Sequence, residues 1–326
     1  MKLSISIFLL FVLLLFQCSP KTEKPPTFTL DFMDSDEATV FGEGIISTRN
    51  FERDFALSPN GDELFYTIQH PRTGFSIIIQ SSKSGDEWTG PEVASFSDSY
   101  SDLEPAFSPD GKKLFFSSNR PKTDGAEITD MDIWYVEKET GTWGNPINVG
   151  SPVNSDKNEF FPSIAKNGNL YFTASREGGV GREDIFLCRF ENGRYLEPVA
   201  LDTAINSPMD EFNAFVDPDE EFLIFSAWGR KVDRGRGDLY ISFKDSTDNW
   251  LPAKNLGDKI NSKSLDYCPF VSFDGKYLFF TSDRMDTELF KNKFLDLKNY
   301  RELLDAPLNG GGNIYMINIT EVLKLK

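Results

Sequence analysis

The chain has 326 residues, 39% of them hydrophobic and 14% aromatic, with 30 Phe. That composition excludes a disordered chain and supplies a large core. The formal charge of −17 repels phosphate backbones and anionic headgroups, which excludes nucleic acid as a partner and reads first as a solubilising surface.

The chain opens "MKLSISIFLLFVLLLFQCSP", in which Lys2 precedes an apolar run from Ile5 to Phe16. A bilayer-spanning helix needs roughly 20 apolar residues, so this shorter run reads as an export signal over residues 1–17. "LFQC" resembles the lipobox of bacterial lipoproteins, whose cysteine is acylated and becomes the mature N-terminus, although Phe16 and Gln17 depart from its usual small residues. The resemblance implies a lipid anchor on Cys18, a polar tether over 18–26, and an outer-membrane lipoprotein facing the periplasm or the cell surface. The alternative is an ordinary signal peptide with an incidental cysteine. Export permits disulfides, but Cys188 and Cys268 fall in non-adjacent repeats and are expected as two free, buried thiols.

From residue 51 to 326 the chain repeats. "DFALSPNGDELFYT", "EPAFSPDGKKLFFSSNR", "EFFPSIAKNGNLYFTASR", "EFNAFVDPDEEFLIFSAWGR" and "DYCPFVSFDGKYLFFTSDR" align on the turn residues Gly61, Gly111, Gly168, Glu220 and Gly275. A third apolar stretch follows each hairpin, then an aromatic in four copies (Trp88, Trp143, Tyr195, Trp250) and a proline (Pro91, Pro146, Pro198, Pro252). "VNS" or "INS" then leads into the third, fourth and fifth copies. Each unit thus holds four short strands. Consecutive apolar residues such as Leu114, Phe115 and Phe116 require burial on both strand faces. Four-stranded sheets stacked around an axis satisfy that, so the fold class is all-β, a β-propeller. Residues 27–50 are expected to supply the outer strand that closes a ring of five four-stranded blades, or to begin a sixth. The segment between Arg284 and Asn313 carries Leu289, Leu297, Tyr300 and Leu304 at helical spacing, a short helical insertion in the last blade.

With "SPDG" and "FFSSNR" as signature, the repeats resemble the WD-repeat-like β-propeller repeats of TolB-type bacterial proteins. Such propellers serve as envelope interaction proteins, sugar-binding modules or regulatory domains of peptidases, so the resemblance implies a scaffold rather than one activity.

On the nearest-acid alignment, Asp54, Glu104, Glu159, Glu211 and Asp266 ring the top of the central channel, with Arg120, Arg176, Arg230 and Arg284 beside them. Paired carboxylates are the machinery of glycoside hydrolysis. A catalytic acid, however, should belong to one blade. Groups that recur in every copy read as fasteners between strand ends. Residues that break the repeat are the candidates for ligand binding. They are the single histidine, His70, and "SAWGRKVDRGRG", which offers Trp228, Arg230 and Arg236 in an acidic chain. The acids Asp124, Glu127, Asp130 and Asp132 lack the glycine and terminal Glu of an EF-hand loop. No metal, cofactor or catalytic residue is assigned. The expectation is a non-catalytic envelope lipoprotein that binds a protein or glycan through its top face and meets the membrane only through its lipid. The alternatives are a carbohydrate-active hydrolase using channel carboxylates and a regulatory propeller of a peptidase-like system.

Overall fold

The computed structural model describes residues 26–123, 125, 127–285 and 296–324. Cys18, the signal and most of the tether lie outside them, as do Asp124 and Leu289.

Each repeat folds into one antiparallel sheet whose strands run outward from the axis in chain order. In blade two these are Asp102–Phe107, Lys113–Ser118, Asp132–Glu139 and Ile147–Asn148. The inner strands of the other blades are Glu52–Leu57, Glu159–Ile164, Asp210–Val216 and Asp266–Val271. Blade five takes its outer strand from the other end of the chain: Thr39 pairs with Met316 and Val40 with Tyr315. Residues 27–50 therefore close a ring of five blades rather than start a sixth. Phe41, next to that strand, packs its ring against Phe55 of blade one at 5.2 Å and Phe279 of blade five at 5.0 Å.

The second strands are buried on both faces, as their unbroken apolar runs require; Leu114, Phe115 and Phe116 are all inside. The inner and second strands join in tight turns. Gly61, Gly111, Gly168 and Gly275 hold positive φ there, and Glu220 holds φ 56° at the same place. Glu220 is not glycine, and its carboxylate secures the strained position by accepting hydrogen bonds from Tyr171 Oη at 2.6 Å and Asn167 Nδ2 at 2.8 Å.

The repeated "VNS/INS" has a structural purpose. Asn154, Asn206 and Asn261 are buried, and each side chain both accepts from and donates to the backbone of one third-strand residue: Ile133, Ile185 and Leu239. A single amide thus replaces a backbone partner for the crossing between blades. In blade five the insertion contains a helix over Leu297–Leu304, capped by Asp296, whose carboxylate accepts from Asn299 N at 2.8 Å.

Candidate functional site

The face where the inner strands begin is the top of the propeller. Counting back nine positions from the turn residues finds Glu52, Asp102, Glu159, Glu211 and Asp266 at the strand starts. These five acids are structurally equivalent. Asp54 and Glu104 stand two residues further along and occupy a different place in the register. The nearest-acid alignment is corrected accordingly in the first two copies.

The equivalent acids are fasteners. Glu159, Glu211 and Asp266 accept from the backbone N–H and hydroxyl of Ser155, Ser207 and Ser262. Arg230 Nε donates to Glu211 at 2.8 Å, Arg284 lies 3.0 Å from Asp266, and Arg176 lies 3.7 Å from Glu159. The same arginines donate to the carbonyls of Val153, Ile205 and Ile260, tying each sheet to the chain entering it. Arg120 pairs with Asp102 at 2.7 Å, not with Glu104. His70 takes the arginine's place in blade one but is exposed, its Nδ1 accepting from Thr73 N at 3.2 Å. Glu52 is instead held by Thr48 N at 3.0 Å and Asn313 at 3.2 Å. Burial pushes its carboxyl above the usual carboxylate range, and pushes Glu159 up to about 7.

One step deeper, every inner strand bulges. The residues at the bulges, Asp54, Glu104, Phe161, Asn213 and Cys268, all hold φ between 50° and 62°. They meet at the axis. Glu104 accepts from Ser117 of its own blade at 3.0 Å, from Arg53 of blade one at 3.0 Å, from Phe161 N of blade three at 2.7 Å and from Asn213 of blade four at 3.4 Å. Cys268 of blade five completes the cluster, its Sγ 3.5 Å from Arg53 and 3.6 Å from Asn213 Oδ1. All five blades are thus joined by one hydrogen-bonded hub. Asp54 binds Arg53 Nε at 2.8 Å, and the Arg53 guanidinium lies 5.2 Å from the centre of the Tyr267 ring. Burial, reinforced by the Asp54 charge, pushes Glu104 up to about 7.

The hub fills the channel. Phe51, Phe160, Phe212 and Tyr267 pack over it from the top. The space left beside Asp54 and Glu104 is about 30 Å³, room for one water. The Asp54 and Glu104 carboxylates both bind Arg53, and the space beside them does not admit a sugar ring.

Away from the axis, the top face carries an exposed aromatic. Trp228 ends the second strand of blade four, is 48% exposed, and lies under the guanidinium of Arg182 at 5.3 Å. Val180, Met209 and Val232 are exposed on the neighbouring loops. Arg182 borders this surface, its outward guanidinium paired with Asp210, whereas the Arg236 guanidinium is paired with Asp283 of blade five. Arg230, adjacent in sequence, belongs to the fasteners instead. Lys122 lies 3.3 Å from Asp132 and 3.8 Å from Asp130 in the blade-two loop.

Solved structures share this architecture. A glycoside hydrolase superposes over 87% of this chain and 92% of its own at a TM-score of 0.55 and 8% identity. An α-L-arabinofuranosidase from Lactobacillus brevis does so over 85% and 92% at 0.51 and 11% identity. TolB from Acinetobacter baumannii matches over 82% of this chain at 0.47 and 15% identity. This chain spans about half of that TolB chain, 54%. The likeness is one of fold. No protein-family model matches the sequence, and no curated protein does.

Proposed function

We propose that this chain is a non-catalytic binding propeller of the bacterial envelope, tethered through a lipid on Cys18, that holds a protein or glycan partner on its top face. The observation that carries the reading is Trp228, an exposed ring under the Arg182 guanidinium with apolar neighbours. Aromatic and arginine side chains on an otherwise acidic surface are the composition of a binding hot spot. Of the channel carboxylates that hydrolysis would use, Glu104 is consumed in the hub, and Glu159 and Glu211 are held by serines and arginines at the strand starts. The envelope assignment rests on the lipobox-like "LFQC".

A photo-crosslinking residue at position 228 in growing cells tests the partner surface. It should trap a discrete envelope species that the same residue at Lys112, on the opposite face, does not. Hydrolysis of a polysaccharide panel that disappears in Glu104→Gln, Glu159→Gln or Glu211→Gln, with no crosslink at 228, would overturn the reading.

A further inference from the structure

A groove of about 1160 Å³ lies away from the top face, on the bottom face between blades two and three. Its origin lies in a break in the repeat.

In four blades the third strand ends opposite the recurring aromatic. The facing pairs are Lys83 with Trp88, Lys138 with Trp143 and Lys244 with Trp250. The Trp143 ring packs 5.9 Å from both Phe65 and Phe107 and fills the joint between blades one and two. Lys138 and Lys244 lie over the rings they face, at 5.5 and 5.1 Å. In blade three the pair is Phe190 with Tyr195. Tyrosine is smaller than tryptophan and leaves the joint open. Phenylalanine replaces the charged cover, so a bare Phe190 edge meets the Tyr195 ring at 5.0 Å at the mouth of the groove.

We propose that this groove binds a neutral oligosaccharide chain. Sugar rings present apolar C–H faces that stack on aromatic rings and hydroxyls that hydrogen-bond at the rim. The groove offers both kinds of partner. Phe190 and Tyr195 supply rings, whereas the Tyr135 ring is covered by Lys113 at 4.3 Å. Arg194 and Glu197 are exposed at the rim. The lining is nearly charge-balanced, with Lys113, Lys166 and Arg194 against Asp110 and Glu197, so it selects no strongly charged ligand. The volume exceeds the usual range of roughly 300–1,000 Å³ for pockets that enclose one small molecule, which suits a chain lying along an open cleft. A peptide added as a strand is disfavoured, because the outer strands here, Ile147–Asn148 and Val199–Ala200, are two residues each. This site is independent of the surface around Trp228.

The test is calorimetric titration of the full-length protein, in a detergent without a sugar headgroup. The probes are neutral hexasaccharides of glucose, mannose, xylose and N-acetylglucosamine, together with a ten-residue polyproline peptide. At least one hexasaccharide should bind. Tyr195→Trp with Phe190→Lys restores the pair of the other blades and should weaken that binding at least about tenfold, the loss of a good ring contact. Its melting temperature should be unchanged or higher. Lys231→Ala, exposed on the top face, should leave the affinity unchanged. If the double variant folds poorly, Phe190→Ala at the exposed edge must show the same weakening. Binding of no hexasaccharide, wild-type affinity in the filled-groove variants, or binding of polyproline alone would each overturn the proposal, while leaving the crosslink at position 228 as a separate result.

Discussion

The carboxylate of Glu104 lies 3.0 Å from the guanidinium of Arg53, across the joint between blades one and two. Both side chains are nearly inaccessible to solvent, and Glu104 also receives donors from blades three and four. Its folded pKa, about 7, lies above the value of 4.5 expected for the free side chain. A raised carboxylate binds its proton more tightly in the folded state. The stability it contributes is fully present below pH 4.5 and is lost as pH rises through about 7. The wild type should therefore lose melting temperature relative to Glu104→Gln between pH 5 and pH 8. Calorimetric scans of the two proteins across that range check it; a difference that stays constant or grows with pH would contradict the assignment.

The Arg230–Glu211 pair should behave as a structural fastener. Removing one partner leaves a buried charge without its counter-ion, so Arg230→Met should cost about 3–5 kcal/mol in urea unfolding. Arg230→Met with Glu211→Leu should recover much of that loss. Arg176→Met should cost less, because the Arg176–Glu159 contact is longer, 3.7 Å.

Ring closure depends on Phe41, wedged between Phe55 and Phe279. Phe41→Ala should cost about 3–5 kcal/mol by denaturant midpoint. It should also raise the susceptibility of residues 27–50 to proteolysis before the rest of the chain is cut, since that segment's hold on blade five is loosened.

Cys188 and Cys268 are free and buried. Burial pushes the Cys188 thiol up to about 12 and Cys268 well above its ordinary value. Since the thiolate is the reactive form, neither should react with a disulfide reagent at pH 8 in the native state. Both should react in denaturant. Labelling of Cys268 in the native protein would mean that the hub opens.

Much of the fold was legible in the sequence because a propeller repeats its instructions. The turn residues, the unbroken apolar second strands, the closing segment and the helical insertion all carry local signatures. The site was legible only in part. Glu52 and Asp54, like Asp102 and Glu104, offer two acids two residues apart, and only the constant distance to the turn distinguishes the strand-start acid from the bulge residue. The hub was hidden for a different reason. Its members are Asp, Glu, Phe, Asn and Cys, which share a backbone conformation and no side-chain type. Trp228 was singled out as a departure from the pattern and is exposed on the top face. Arg230 beside it was grouped with it by sequence proximity, yet it points to Glu211. Tyr195 was read as one of four equivalent aromatics; its smaller size is the signal for the groove.

The pairing of Thr39 with Met316 links positions 277 residues apart. A solenoid can grow stably one unit at a time, because each unit needs only its neighbour. Here the last sheet waits for a strand made first, and the axial cluster waits for Cys268. Early-made blades therefore cannot complete their contacts while synthesis continues, and the high sequence separation of the closing contacts makes for slow, late and concerted folding. For the export proposed above, in which the chain would cross a membrane before it folds, that delay would be an advantage: the sequence would stay transportable until its far end had arrived.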